Sequence, residues 1–123
     1  MLSDCIHTLL LVEDEPVARH VLKRLLTAQG YRVEASGSGE EALEHLTQDG
    51  LAHTAVIDFE LPGMNGAELL HRLEKHNPNV FTVVMSARSH ATVCEAGVSE
   101  DVPFLQKPLE FSKLLQTLAR HRH

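Results

Sequence analysis

Residues 55–66 read AVIDFELPGMNG, and this stretch decides the fold class. The three apolar residues before Asp58 are typical of a strand that is buried in a parallel sheet. Proline, glycine and asparagine follow within eight residues, which predicts a loop. Asp58 therefore stands at the carboxyl end of a buried strand, which is where open α/β sheets bind their ligands.

Three other apolar runs end in polar side chains in the same way. They lead to Glu13 and Asp14, to Ser86, and to Lys107. Because the carboxyl ends of parallel strands meet at one edge of a sheet, we expect these side chains to lie close to Asp58. Three carboxylates, a hydroxyl and an ammonium are the groups needed to hold a divalent metal ion and to accept a phosphoryl group.

Strand-like and helix-like segments alternate five times along the chain. Hydrophobic periodicity predicts strands at 7–12, 31–35, 55–58, 80–86 and 104–106. It predicts helices from 16 to just before 30, from 39 to about 49, from 65 or 66 to just before 77, from 90 to about 96, and from about 110 to 120. Ser38 and Glu41 are spaced as a capping box for the second helix. The alternation indicates an α/β protein with helices on both faces of a parallel sheet.

Length and composition predict one domain over residues 1–123. The chain is 43% hydrophobic and 23% charged, with a net charge of −6 that argues against direct nucleic-acid binding. Cys5 and Cys94 lack the spacing of a disulfide framework or a zinc site, and the nine histidines lack the spacing of zinc ligands. There is no signal-peptide pattern and no apolar run of about 20 residues, so we expect a cytoplasmic protein with no membrane contact.

Four motifs occur in order: LVEDEP at 11–16, Asp58 with LPGMNG at 61–66, MSA at 85–87 and FLQKP at 104–108. Together they resemble the receiver domain of two-component response regulators, the CheY-like family, and the resemblance covers the whole chain. It implies a flavodoxin-like (βα)5 fold. The expected sheet is doubly wound, parallel and five-stranded, with strand order 2-1-3-4-5.

The resemblance also implies roles for the strand-end side chains. Asp58 matches the phosphoacceptor, which receives its phosphoryl group from a histidine kinase or a phosphotransfer protein. Glu13 and Asp14 match the acidic pair that holds Mg²⁺. Ser86 matches the hydroxyl that binds a phosphoryl oxygen, and Lys107 matches the lysine that pairs with the phosphoryl group. Such a domain is not an enzyme in the ordinary sense, although it assists its own phosphorylation and dephosphorylation.

Signalling in this family implies a change of shape away from the acceptor. Phe104 matches the switch aromatic, which turns inward when Ser86 moves toward the phosphoryl group. The face formed by the fourth helix, fifth strand and fifth helix then changes. A downstream protein or an attached output domain would read that face.

The chemistry of magnesium agrees with the implied site. Mg²⁺ prefers six oxygen ligands and keeps several waters. Asp14, Asp58 and the backbone carbonyl of Glu60 can supply three of them, with Glu13 acting through water. The metal also relieves the repulsion between crowded carboxylates.

Glu60 and Arg88 lie two residues after Asp58 and Ser86, respectively. We expect their opposite charges to pair across the mouth of the site. Such a gate would exclude the water that hydrolyses the phosphoryl group and so prolong the signal. Arg88 could instead contact the phosphoryl group directly, which would also shield it, or both side chains could be solvated without this role.

A docking surface for the kinase is expected beside the site. Pro16, Val17, Leu22 and Pro108 are its candidates, because an apolar patch suits a transient partner. Burial of Leu22 in the core is the alternative.

Rival interpretations remain for the acidic residues and for the whole chain. Glu13, Asp14 and Glu15 could only stabilise the start of a helix. A pseudo-receiver would dock partners without being phosphorylated. A phosphatase of the haloacid dehalogenase type would need an aspartate two residues after its nucleophile, where this chain has Glu60.

Overall fold

A computed structural model of the protein describes residues 7–49 and 52–120, and Cys5 lies outside them. The strands are β1 His7–Val12, β2 Tyr31–Ser36, β3 Thr54–Asp58, β4 Phe81–Ser86 and β5 Phe104–Gln106. The helices are α1 Pro16–Ala28, α2 Gly39–Asp49, α3 Gly66–His76, α4 His90–Glu95 and α5 Phe111–Ala119. The predicted boundaries are therefore confirmed to within one or two residues.

The five strands form one parallel sheet in the order β2-β1-β3-β4-β5. This is the predicted flavodoxin-like order. β2 lies on one side of β1, and β3 and the later strands lie on the other, so the order of the strands reverses between β1 and β3. A crevice opens at that reversal, at the carboxyl ends of the strands. The sheet thus places β1 and β3, which end at Val12 and Asp58, side by side beneath the crevice.

Both faces of the sheet are buried, and the strand residues alternate between two cores. Leu9, Leu11 and Met85 pack on one face with α1 and α5. Leu10 and Ile57 pack on the other face with α2 and α3. Double burial explains why the central strands read as continuous apolar runs rather than as alternating ones.

Helix α1 carries more apolar residues than it buries. Leu22 and Leu26 face the core, whereas Val17, Val21 and Leu25 are 69%, 45% and 39% exposed. Leu22 is packed into the core beneath the helix, which was the alternative for it, and its side chain also lines a groove beside Lys107. Val17 is available at the surface.

A side chain caps α2 at the position that the sequence indicated, with one difference. The Ser38 hydroxyl accepts from the Glu41 amide at 3.1 Å, as in a capping box. The reciprocal bond is shifted by one residue, because the Glu41 carboxylate accepts from the Gly37 amide at 2.9 Å. No helix in the described part of the chain has the length and apolar character needed to span a membrane.

Gly66 lets the start of α3 pack against the loop that follows Asp58. A Cβ atom at Gly66 would lie 2.7 Å from the Phe59 Cα and 3.1 Å from the Asp58 carbonyl oxygen. The Gly66 amide donates to the Phe59 carbonyl at 3.0 Å. The absence of a side chain therefore permits this close approach, and the amide hydrogen bond fixes the backbone beside Asp58.

Gly66→Ala should lower the free energy of unfolding by about 1–3 kcal/mol, because the new methyl group meets backbone that must shift. Gly39→Ala is the matched control: Gly39 also begins a helix, but its Cβ would meet only the flexible Met64 side chain. Urea denaturation of both variants measures the difference. Equal stability of the two variants would contradict this account of the packing.

Candidate functional site

Four strand ends bring the predicted side chains to one place. Glu13 and Asp58 are each 2% exposed, and Asp14 is exposed beside them. One carboxylate oxygen from each of these three residues lies within 4.8 Å of the other two. This donor set fits Mg²⁺, which binds hard oxygen ligands and tolerates water at the remaining positions.

Lys107 contacts both buried carboxylates and offsets part of their negative charge. Its Nζ atom donates to the Asp58 Oδ2 at 2.8 Å and to the Glu13 Oε1 at 3.1 Å. The backbone sets the lysine beside Ser86, because the Lys107 amide donates to the Ser86 carbonyl at 2.8 Å. The Lys107–Pro108 peptide bond is cis.

Burial shifts the ionisation of the central pair. Burial raises the pKa of Asp58 above its ordinary value of 3.8, and the charge of Glu13 adds to that rise, while the hydrogen bond from Lys107 opposes it. Burial alone would lower the pKa of Lys107, but the hydrogen bonds and charges of Asp58 and Glu13 outweigh it and raise that pKa. The lysine is therefore held firmly in its charged form beside a carboxylate whose charge is destabilised.

Ser86 is fully buried at the end of β4, and its hydroxyl forms hydrogen bonds with two neighbouring groups. It donates to the Glu60 Oε2 at 2.5 Å and accepts from the Arg88 amide at 2.9 Å. The Arg88 Nε lies 3.8 Å from the same Glu60 oxygen, and both side chains are partly exposed. The expected Glu60–Arg88 pair therefore forms, but the shorter contact of Glu60 is with Ser86.

The backbone of Glu60 lies beside the acceptor. Its amide donates to the Asp58 Oδ1 at 3.0 Å, and its Oε1 accepts from the Ala87 amide at 3.3 Å. The side chain therefore turns toward the loop after β4. Metal binding by the Glu60 carbonyl stays a prediction.

Arg19 supports the acidic loop in a way that the sequence did not reveal. Its Nη1 donates to the backbone carbonyls of Glu13 at 2.9 Å and of Asp14 at 3.3 Å. Glu15 takes the role of helix cap, because its carboxylate accepts from the Val17 and Ala18 amides. Helix stabilisation thus explains Glu15, whereas Glu13 and Asp14 belong to the carboxylate cluster.

Phe104 is half-buried on the side of the sheet near α4. It packs against a cluster that includes Val84 and Val93. The exposed ring of His90, the first residue of α4, stacks on it at 4.8 Å between ring centroids and 11° between planes. No periodicity signals this stack, because it joins a helix start to a strand that follows a loop.

An apolar groove of about 290 Å³ runs between α1 and the segment after β5, next to Lys107. Its lining includes Val21 and Leu25 from one side and Pro108, Leu109 and Phe111 from the other. Pro108 therefore flanks the site as predicted.

Comparison with known proteins agrees with the geometry. The family model described as the response regulator receiver domain matches residues 9–119. The chain belongs to the response regulator receiver family. Such domains act in phosphorelay signalling, are phosphorylated by histidine kinases and bind Mg²⁺ at an acidic site.

Individual relatives come from regulators and from a sensor kinase. The transcriptional regulatory protein ZraR of Klebsiella oxytoca is 33% identical over 112 residues, which are 90% of this chain and 25% of that protein. The receiver domain of the hybrid histidine kinase CckA has a TM-score of 0.78 at 30% identity and covers 94% of this chain and 99% of its own. The Thermotoga maritima response regulator TrrA, solved with Mg²⁺ and beryllofluoride, has a TM-score of 0.79 at 26% identity, covering 94% and 98%.

This receiver chain spans between a quarter and about half of the length of three curated relatives that it matches, one of them ZraR. Their regulatory and kinase functions therefore belong to those longer proteins. What passes to this chain from the family is the receiver fold and its place in phosphorelay signalling.

The raised pKa of Asp58 predicts that its charge destabilises the metal-free fold. Folding disfavours the ionised form, so stability should fall as the pH rises from the ordinary pKa of the carboxyl to its raised value in the folded protein. Asp58→Asn should therefore raise the Tm at pH 7 in a buffer with chelator, with a smaller gain at pH 4. Asp101→Asn, at an exposed position, is the control and should change little. A lower Tm for Asp58→Asn at pH 7 would contradict the sign.

Proposed function

We propose that this receiver accepts a phosphoryl group on Asp58 from a histidine kinase or a phosphotransfer protein, in a reaction that requires Mg²⁺. The proposal depends on one observation: the Lys107 Nζ donates to the Asp58 Oδ2 at 2.8 Å, within a cluster of three carboxylates. Phosphoryl transfer depends on positioning and charge neutralisation more than on covalent assistance. The site supplies both.

Each residue has a defined part in the transfer. An Asp58 carboxylate oxygen forms a bond to phosphorus while the bond from phosphorus to the donor's leaving group breaks. Lys107 already touches Asp58 and stays close enough to pair with the arriving phosphoryl oxygens. The Ser86 hydroxyl donates a hydrogen bond to one of those oxygens. The product is an acyl phosphate, which spreads its charge over oxygens that face the lysine.

Asp14 and Asp58 would hold Mg²⁺ directly, Glu13 through water, and Glu60 through its backbone carbonyl. When bound, the ion neutralises charge on the phosphoryl oxygens. Asp14 is the exposed member of the cluster and is free of the lysine contacts that occupy Asp58 and Glu13. Its carboxylate is therefore the one best placed to capture the ion from solvent.

The position of Ser86 determines how phosphorylation changes the face formed by α4, β5 and α5. As its hydroxyl turns to the phosphoryl group, the loop after β4 moves, and Phe104 leaves the stack with His90 and turns inward. The face formed by α4, β5 and α5 then changes shape. This is a two-state bias that is set by one local contact.

Neither rival function has an observation in its favour. A docking-only receiver would not need Asp58, Lys107 and Ser86 arranged around one point. A phosphatase would need the acid at Glu60 to reach the leaving group, whereas its carboxylate contacts Ser86 and Ala87.

Phosphorylation of Asp58 is tested with acetyl phosphate, which needs no partner protein. Wild type and the control Asp101→Asn should gain the mass of one phosphoryl group in Mg²⁺ and not in chelator, as read by intact-mass spectrometry. Asp58→Asn keeps the shape of the side chain but lacks the nucleophile, so it should gain none. Full labelling of Asp58→Asn would refute the assignment of the acceptor.

The kinase should dock on α1 and the groove beside Lys107. Val17 and Val21 are exposed there, and α1 has no acidic residue while it carries Arg19, Lys23 and Arg24. Val17→Glu and Val21→Glu should slow transfer from the cognate phosphodonor about tenfold or more. Labelling by acetyl phosphate serves as the internal control and should not change. Unchanged transfer from the protein donor would remove α1 from the docking surface.

The Glu60–Arg88 pair should shield the phosphorylated site from water. An exposed ion pair contributes only about 0–1 kcal/mol to stability, but it can still obstruct the line of attack. Arg88→Ala should therefore speed loss of phosphate, and a tenfold change would correspond to about 1.4 kcal/mol in barrier. Lys113→Ala, on α5, is the control. Decay time courses that match wild type for Arg88→Ala would leave the gate without support.

A further inference from the structure

Ser86 has one hydroxyl proton, and its hydrogen bond is already donated to Glu60. A hydroxyl donates one hydrogen bond and accepts others. Here the donated bond goes to the Glu60 Oε2 at 2.5 Å, while the oxygen accepts from the Arg88 amide. A phosphoryl oxygen can only accept. It therefore requires the same proton that Glu60 uses in this structure.

Glu60 is well anchored as the competing acceptor. Its amide is bound to Asp58 and its second carboxylate oxygen to the Ala87 amide. The residue thus bridges the loop after β3 and the loop after β4. The bridge keeps the β4 loop in one position for as long as the Ser86 hydroxyl donates its hydrogen bond to Glu60.

We propose that Glu60 is an inhibitory latch, which holds the Ser86 hydroxyl until a phosphoryl group at Asp58 displaces it. The proposal rests on the proposed role of Ser86 as a phosphoryl ligand. It adds that the resting state is stabilised by a specific carboxylate–hydroxyl bond, so Glu60 opposes activation rather than assisting it.

Electrostatic repulsion from the phosphoryl group would break the hydrogen bond between Glu60 and Ser86. Both acceptors are anionic, so a phosphoryl group on Asp58 repels the Glu60 carboxylate as it accepts the hydrogen bond from Ser86. Arg88 then offers the freed carboxylate a partner, because its Nε lies only 3.8 Å away. Release of the latch and shortening of the existing Glu60–Arg88 contact are therefore one movement, which couples occupancy of the site to the position of the β4 loop.

A double-mutant cycle tests the latch against a simple charge effect. Beryllofluoride with Mg²⁺ is the probe, and its dissociation constant is measured by fluorine and amide NMR for wild type, Glu60→Ala, Ser86→Ala and the double variant. The latch predicts that Glu60→Ala binds the probe about tenfold more tightly than wild type. It predicts no such gain when Ser86→Ala is already present, because no hydroxyl is left to release.

A gain of equal size in both backgrounds would mean that Glu60 acts only through its charge, and it would overturn the latch. No gain in either background would also overturn it. Glu60→Gln is the conservative variant: its amide oxygen still accepts from Ser86 without a charge, so the gain should lie between wild type and Glu60→Ala. Glu95→Ala, at the end of α4, controls for the loss of one acidic side chain.

The two levels of the proposal fail differently. If wild type binds no beryllofluoride at Asp58, the proposed function fails and the latch with it. If wild type binds the probe and the cycle shows no coupling between Glu60 and Ser86, only the latch fails.

Discussion

The contact of the Lys107 ammonium with Asp58 and Glu13 is the constraint on which the site depends. Two carboxylates that are each 2% exposed repel one another and lose most of their hydration. Lys107 touches both and spans 94 residues of sequence to reach Glu13. Without the lysine, the charges would remain buried and uncompensated, which is why the strand ends must converge accurately.

The parallel sheet makes that convergence possible. Adjacent β1 and β3 supply the carboxylates, and β4 and β5 supply Ser86 and Lys107 at the same edge. Backbone bonds then fix each loop: Lys107 to the Ser86 carbonyl, and Gly66 to the Phe59 carbonyl. Lys107 thus holds Asp58 and Glu13 together, whereas the Glu60 carboxylate contacts Ser86, Ala87 and Arg88 in the neighbouring loop.

Sequence reasoning succeeded where one rule governs position. Apolar runs that end in polar residues predicted where Asp58 and Lys107 would lie, because strand ends in a parallel sheet share an edge. The motifs added the strand order through family resemblance. Directions of side chains within loops follow no such period, so the Glu60–Ser86 bond, the Arg19 support and the His90 stack were not foreseen. The sequence left two positions open for Leu22 because α1 carries apolar residues around more than its buried face.

The central claim is that a phosphoryl group on Asp58 changes the distant face of the domain through Ser86. Amide NMR of the protein with Mg²⁺ and beryllofluoride tests it most directly. The account predicts shifts around Asp58 that extend through the β4 loop and across residues 86–110, with the largest remote changes near His90 and Phe104, and none of these in Asp58→Asn. Shifts confined to the loops that touch Asp58, with Phe104 and His90 unchanged, would contradict it.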